Sequence, residues 1–189
     1  MNVKTCKRWA VGLGAVATSA ALMSGSFSPA VASDSAGAAP RSVVAKQLTL
    51  RLAAAPGQLA NVQGAAQGNG VPIIQYPWSD APNERWEANA VGGGYYRFRS
   101  VSSGKCLNVN GGSNANGAQI IQYTCGHAGN ELWRLVPKGI GYQIVVKSSN
   151  KCLNVAGGVG AGRPLIQYDC TDQGATNDVW LTVWEPNNL

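Results

Sequence analysis

Short apolar runs separated by polar and Gly-rich turns fill the chain from about residue 46 onward. One such stretch has a strand-like run at 96–101, a turn, the run 106–109, a Gly-rich loop, the run 120–123 and a closing Trp133. Runs of this length, rich in β-branched and aromatic residues and bounded by turns, indicate strands. The pattern predicts about four short strands in this stretch and an all-β chain.

The same pattern occurs three times. Its landmarks are a Leu/Cys run ending in Asn-Val or its equivalent, an Ile/Leu-Ile-Gln-Tyr run, and an Asn followed three residues later by Trp. The closing tryptophans lie 47 residues apart, at Trp86, Trp133 and Trp180. Self-similarity at a fixed period indicates one supersecondary unit repeated along the chain. We therefore divide the chain into repeats at about 48–94, 95–140 and 141–185.

Three units of four strands favour a closed threefold arrangement. A β-propeller needs four or more blades, and the chain has three copies. One unit has too little apolar surface to form a core alone, so the three tryptophans and the first Ile or Leu of each strand are expected to be buried together. The glutamines that precede the repeated tyrosines are interpreted as structural hydrogen-bonding groups, at Gln75, Gln122 and Gln167.

The N-terminal 32 residues have the three zones of a secretory signal peptide. A basic start with Lys4, Lys7 and Arg8 precedes an apolar run at 9–23, and Ala-Val-Ala at 30–32 is a small-residue cleavage site. An apolar run of fifteen residues is shorter than the roughly 20 that a transmembrane helix needs. We predict a secreted, extracellular protein with a flexible tail at 33–45 and one domain at 46–189.

Composition and charge limit the kinds of molecule that the chain is expected to bind. The chain has 189 residues, 45% of them hydrophobic and 13% charged, which is typical of a folded domain with many turns. Its formal charge of +6 falls to +3 without residues 1–32, because three of the 15 Lys and Arg lie there and none of the nine Asp and Glu does. No run of basic residues remains, so we expect neither nucleic-acid binding nor a membrane association after signal removal.

Four cysteines lie in the predicted domain, an even number that is typical of disulfides in an exported chain. Pairing within a repeat treats the second and third repeats alike. We therefore predict the bridges Cys106 to Cys125 and Cys152 to Cys170.

Catalysis and metal binding have little support in the sequence. His127 is the only histidine, and no repeated partner accompanies it. The carboxylates that might act in glycoside hydrolysis occupy the same position in three repeats and should lie far apart, at Glu84, Glu131 and Asp178. No His/Asp cluster has metal-ligand spacing. We predict a non-catalytic protein with no metal or other cofactor.

The threefold series Cys-Leu-Asn-Val, Gly-rich loop, Ile-Gln-Tyr-x-Cys and Asn-x-x-Trp resembles the ricin B-type lectin domain over about residues 46–185. The resemblance implies a β-trefoil of three four-stranded repeats with pseudo-threefold symmetry, and carbohydrate as the partner. It implies one sugar site in each repeat, formed by an Asn after the first Leu or Cys run, a Tyr, and the Asn before the Trp. These are Asn61, Tyr76 and Asn83; Asn108, Tyr123 and Asn130; and Asn154, Tyr168 and Asn177.

The chain departs from the family pattern at two positions of each repeat. The usual Asp is Asn, and the usual Gln after the second Asn is Glu or Asp. A neutral amide accepts weaker hydrogen bonds than a carboxylate, so each site is expected to be weak, with up to three acting together on a polysaccharide or glycosylated surface. The second site is expected to be strongest, because two extra residues between Tyr168 and Trp180 should displace Asn177 and the first repeat lacks a disulfide.

Three alternatives stay open at this level. The tyrosines could cap the core with their hydroxyl groups outward, and the first asparagines could satisfy turn backbone. A β-trefoil that binds protein through its loops, as an inhibitor or adhesion protein, is the alternative function. The sugar, the biological target and the oligomeric state are not specified by the sequence.

Overall fold

The computed structural model describes residues 46–172 and 177–185. Within these ranges the chain forms twelve β-strands and four 3₁₀ helices and no α-helix, which confirms the predicted all-β class. No helix among the described residues has the length and apolar character needed to cross a bilayer. The predicted signal peptide at 1–32 and the tail at 33–45 lie outside the described residues.

The strands follow one another in three sets of four. The first set is β1 (Gln47–Leu52), β2 (Ala55–Val62), β3 (Ile73–Pro77) and β4 (Trp86–Gly92). The second is β5 (Tyr95–Ser100), β6 (Cys106–Val109), β7 (Ile120–Tyr123) and β8 (Trp133–Lys138). The third is β9 (Gly141–Val146), β10 (Cys152–Val155), β11 (Leu165–Tyr168) and β12 (Trp180–Trp184). The 3₁₀ helices are Gln63–Ala65, Pro82–Glu84, Asn110–Gly112 and Gly129–Glu131.

The first and last strands of the three sets close a six-stranded antiparallel barrel. Strand β1 pairs with β4 and β12, β5 pairs with β4 and β8, and β9 pairs with β8 and β12. The ring has no free edge, which removes the tendency of exposed edge strands to pair with other chains. The observed architecture is the β-trefoil that the sequence predicted.

The second and third strands of each set form a hairpin outside the barrel. The hairpins are β2–β3, β6–β7 and β10–β11, and single backbone bridges join them in pairs. In the second hairpin Asn108 lies opposite Ile121 and Cys106 lies opposite Tyr123. Directly opposed residues point to the same face of a sheet, so this register sets the Asn and the Tyr side by side.

The core lies at the threefold axis, as predicted. Trp86, Trp133 and Trp180 are fully buried and belong to one apolar cluster with Leu50, Phe98 and other residues from all three sets. Because the cluster draws residues from all three sets, no single repeat forms this core alone.

Both predicted disulfides are present. Cys106 bonds Cys125 and Cys152 bonds Cys170, with a Cα–Cα distance of 5.0 Å in each case. In the first repeat the corresponding positions hold Leu59, which is fully buried, and Trp78, which is half-exposed. The guanidinium carbon of Arg51 lies 4.8 Å from the centroid of the Trp78 ring.

Candidate functional site

Each repeat brings its two predicted asparagines into direct contact. Asn83 Nδ2 donates to Asn61 Oδ1 at 2.8 Å, Asn130 Nδ2 donates to Asn108 Oδ1 at 2.7 Å, and Asn177 Nδ2 donates to Asn154 Oδ1 at 2.7 Å. The first asparagine of each pair is more than nine-tenths buried, since Asn108 for example is 7% exposed. Residues 22 or 23 positions apart thus form one small polar unit three times over.

A backbone carbonyl fixes the amide of the second asparagine. Asn130 Nδ2 also donates to the carbonyl oxygen of Val109 at 3.1 Å. The same bond joins Asn83 to Val62 and Asn177 to Val155, at 2.9 Å in both. A carbonyl oxygen only accepts, so the nitrogen of each second asparagine must face inward.

The expected displacement of Asn177 is not seen. Its hydrogen bond to Asn154 has the same length as the Asn130–Asn108 bond, although the third repeat has two extra residues between Tyr168 and Trp180. The extra residues precede Asn177, and the three-residue step from Asn177 to Trp180 is unchanged. Because Trp180 Nε1 donates to the Leu153 carbonyl at 2.9 Å, the buried tryptophan holds this segment against the strand that carries Asn154.

A turn that requires glycine follows the first asparagine of each repeat. Gly64 and Gly111 both have φ of +61°, and Gly157 has φ of +69°. Residues with a side chain rarely adopt this left-handed conformation. In the second repeat this turn places Gly111 in the lining of the cavity that Asn108 also lines.

The repeated tyrosines are half-exposed, and two of them, Tyr123 and Tyr168, border open cavities. Tyr76, Tyr123 and Tyr168 are 47%, 48% and 47% exposed. A cavity of about 510 Å³ in the second repeat is lined by Tyr123, Asn108 and Asn130. One of about 310 Å³ in the third repeat is lined by Tyr168, Asn154 and Asn177. In both repeats the predicted site residues therefore share one cavity.

The three repeated carboxylates are buried beside the sites and hold loop backbone. Glu84 accepts hydrogen bonds from the backbone nitrogens of Ser79 and Ala81, and Glu131 accepts one from that of Gly126. Asp178 accepts from Thr171 and from Gln143 Nε2. Their positions are at most 1% exposed, which leaves little access for a substrate. Within 46–172 and 177–185 no three His, Cys, Asp or Glu side chains cluster as metal ligands would.

The repeated glutamines join neighbouring repeats, which confirms their structural interpretation. Gln122 Nε2 donates to the carbonyl oxygens of Ala66 and Gly68 in the first repeat, both at 2.8 Å. Gln167 makes the same two bonds to Ser113 and Ala115 in the second repeat. Gln75 instead accepts one bond from the backbone nitrogen of Gly160 at 3.1 Å. Each site loop is thus held by the next repeat around the axis.

One charged residue at a site was not singled out from the sequence. Asp169 follows Tyr168 and lines the cavity of the third repeat. Hydrogen bonds from Lys151 and Asn116 hold the pKa of this carboxyl below its ordinary value, so it is ionised near neutral pH. The corresponding residues are Pro77 and Thr124, and this break in the repeat pattern is the signal that marks it.

Comparisons with known proteins agree with this geometry. The profile of the ricin-type β-trefoil lectin domain-like family matches residues 42–123, 83–168 and 129–188. A designed threefold-symmetric protein, ThreeFoil, is 32% identical, with a TM-score of 0.69 over 72% of this chain and 97% of that chain. A search of the curated proteins found no significant match.

Two natural proteins extend the comparison. An exo-β-1,3-galactanase from Clostridium thermocellum is 27% identical with a TM-score of 0.69, over 74% of this chain but only 30% of the enzyme. The Polyporus squamosus lectin, solved with the epitope Neu5Acα2-6Galβ1-4GlcNAc, is 16% identical with a TM-score of 0.63, over 72% of this chain and 48% of that chain. The threefold family match, covering the barrel and all three Asn-Asn-Tyr groups, shows that the chain belongs to the ricin-type β-trefoil lectin domain-like family.

Proposed function

We propose that this protein is a carbohydrate-binding lectin with one sugar site in each repeat. The observation that carries the proposal is the Asn-Asn pair beside a half-exposed tyrosine, which recurs with nearly the same hydrogen-bond lengths in three repeats. Family membership and a solved lectin of the same fold that carries a bound glycan support it.

The chemistry of the site suits a pyranose. A sugar ring has a face of C–H bonds and a rim of hydroxyl groups, so its site needs a flat aromatic side chain and fixed polar atoms. Tyr123 supplies the first, and the hydrogen-bonded amides of Asn108 and Asn130 supply the second. Their mutual hydrogen bond orients both amides before a ligand arrives, which lowers the entropy cost of binding.

Low affinity at each site is compatible with firm attachment to a surface. Three sites on one rigid body make the second and third contacts with a polysaccharide intramolecular, at high effective concentration. Attachment of this kind suits a secreted protein, and the signal-like sequence of 1–32 and the two disulfides support export. Intact-mass measurement of protein from culture medium tests export, with cleavage after Ala32 expected and retention of 1–32 contradicting it.

The protein is proposed to act without catalysis. The carboxylates nearest the sites are buried and bonded to loop backbone, and each lies in a different repeat. The galactanase match covers 30% of that enzyme, so it carries over no activity. Incubation with polysaccharides and assay for reducing ends should give no signal above a buffer control.

A glycan array with the full secreted chain is the direct test. We expect a signal that free sugar competes away and that is lost in a Tyr76→Ala/Tyr123→Ala/Tyr168→Ala variant. The matched control is Trp184→Ala, because Trp184 is a similarly exposed aromatic residue on a barrel strand rather than on a hairpin. Binding to no glycan, together with capture of a protein partner that both variants retain, would establish the alternative protein-binding function.

A further inference from the structure

The free amide nitrogen of the first asparagine sets which kind of ligand atom each site prefers. Asn108 Oδ1 is occupied by the hydrogen bond from Asn130 Nδ2. Rotating the Asn130 amide would place its oxygen against the Val109 carbonyl oxygen, and two acceptors cannot bond. Asn108 must therefore keep its oxygen toward Asn130 and its nitrogen away from it.

That nitrogen is a hydrogen-bond donor open to the cavity. Asn108 Nδ2 makes no hydrogen bond to any residue in 46–172 or 177–185, and it is not among the fully covered polar atoms without a partner. Asn108 itself lines the cavity. The same relation holds for Asn61 and Asn154, whose oxygens are occupied by Asn83 and Asn177.

We propose that the sites prefer a saccharide with a carbonyl or carboxylate oxygen, because such an oxygen accepts the bond from the free Nδ2 more strongly than a hydroxyl oxygen does. This proposal rests on the proposed sugar-binding function and names its ligand class: sugars with a uronic acid or an N-acetyl group on the recognised edge. An aspartate at position 108 would offer only oxygens and would select the opposite partner, a hydroxyl or an ammonium donor. The neighbouring free atom, Asn130 Oδ1, is an acceptor that suits an adjacent hydroxyl group.

Charges near the cavities refine the choice between the two sources of the oxygen. A carboxylate makes the stronger, charge-assisted bond to an amide nitrogen. In the second repeat the nearest carboxylate, Glu131, is 1% exposed and lies 3.9 Å from Arg97 Nε, which offsets its charge. In the third repeat Asp169 lines the cavity and is likewise paired with a cation, the ammonium group of Lys151. We test the second cavity because its carboxylate is buried, whereas Asp169 is 65% exposed.

The test isolates the second site in a Tyr76→Ala/Tyr168→Ala background and measures binding by calorimetry near pH 6. The probes are galactose, galactosamine, N-acetylgalactosamine and galacturonic acid, with the corresponding glucose series. We expect the N-acetylated and acidic sugars to bind about fivefold to tenfold more tightly than galactose, galactosamine and their glucose counterparts. The acidic and N-acetylated arms tell which oxygen source the site takes.

Asn108→Asp in the same background should reverse this order. The carboxylate can still accept the bond from Asn130 Nδ2, while its free oxygen now faces the ligand. We expect galactosamine to gain affinity and galacturonic acid to lose about tenfold or more. Asn150→Asp is the matched control, because Asn150 is an exposed residue between β9 and β10 that does not line the second cavity, and the substitution adds the same charge.

Each result is decisive. Galactose or glucose that binds as tightly as the N-acetylated and acidic sugars, or an unchanged order in Asn108→Asp, would overturn the ligand class while leaving a sugar-binding function in place. If the protein binds no glycan on the array, both the sugar-binding function and the ligand class are contradicted. If Asn108→Asp does not fold by circular dichroism, Asn61→Asp in a Tyr123→Ala/Tyr168→Ala background tests the same relation in the first repeat.

Discussion

The indole nitrogen of Trp133 donates a hydrogen bond to the carbonyl oxygen of Leu107 at 3.0 Å, which ties the centre of the barrel to the residue before Asn108. Trp86 makes the equivalent bond to Ala60 at 3.1 Å, and Trp180 makes it to Leu153 at 2.9 Å. Each site strand is thus fastened to the core one residue from its asparagine.

Replacing Trp133 by Phe should destabilise the fold. The change removes the bond to Leu107 and leaves a cavity in a fully buried position, for a loss of about 2–4 kcal/mol in the free energy of unfolding. Urea unfolding followed by circular dichroism measures it. Trp184→Phe is the control, because Trp184 is 52% exposed and should change stability by less than about 0.5 kcal/mol. Equal effects of the two changes would contradict the role given to the indole bond.

Among the tyrosines, Tyr123 should contribute most to sugar binding. Tyr123→Ala removes a stacking face beside the larger of the two described cavities and should cost about 1–3 kcal/mol of affinity. Tyr76→Ala and Tyr168→Ala should cost less. Calorimetric titration of the three variants with the best array ligand measures this. The ranking is wrong if Tyr123→Ala binds like the parent while either of the others fails.

The inter-repeat glutamines should differ in their effect on stability. Gln122 donates to two carbonyl groups of the first repeat and accepts a bond from Ser103. Gln122→Ala leaves these three groups without their partner and should lower the free energy of unfolding by about 2–4 kcal/mol. Gln75 makes one side-chain bond among the described residues, and Gln75→Ala should cost about 1 kcal/mol. Chemical denaturation of both variants checks the difference. A Gln75 effect as large as that of Gln122 would show that the asymmetry has no energetic meaning.

Removing one disulfide should lower the free energy of unfolding while the native fold is retained. Cys106→Ser with Cys125→Ser opens a loop of 19 residues and should cost about 3 kcal/mol. The first repeat folds without a bridge, which is why the variant is expected to keep the native circular dichroism spectrum. Thermal unfolding with and without a reductant measures the loss, and the reductant should have a smaller effect on the variant than on the parent. Equal sensitivity to reductant in both proteins would argue against a contribution of this bridge.

Asp169 should add acid sensitivity to the fold. Because the pKa of this carboxyl is lower in the folded protein than the ordinary 3.8, its stabilising contribution is present above that value and is lost as the pH falls below it. Asp169→Asn should therefore flatten the decline of the urea midpoint between about pH 4 and pH 2. An unchanged decline would show that its bonds to Lys151 and Asn116 give no net stabilisation.

Much of the fold could be predicted from the sequence, because the repeated residues are of types that usually have a single structural role. A tryptophan every 47 residues is large and apolar, so it is buried wherever three copies meet, as Trp86, Trp133 and Trp180 show. The cysteine pairing followed from the repeat boundaries, since only pairing within a repeat treats both copies alike. Gln122 lay between an apolar residue and a tyrosine, which was enough to predict a structural hydrogen bond.

The sequence alone determined the three repeats, the buried tryptophans, the disulfides and the residues grouped at each site. Only the tertiary structure decided how those residues act on one another. The position of Asn177 depended on the bond between Trp180 and Leu153, which offsets the extra residues in its loop. The free donor of Asn108 depended on Val109. The carbonyl oxygen of Val109 fixes the orientation of the Asn130 amide, and the Asn130 amide in turn fixes that of Asn108. Hydrogen-bond direction is a property of atoms brought together by folding, so no spacing of residue types along the chain could have specified it.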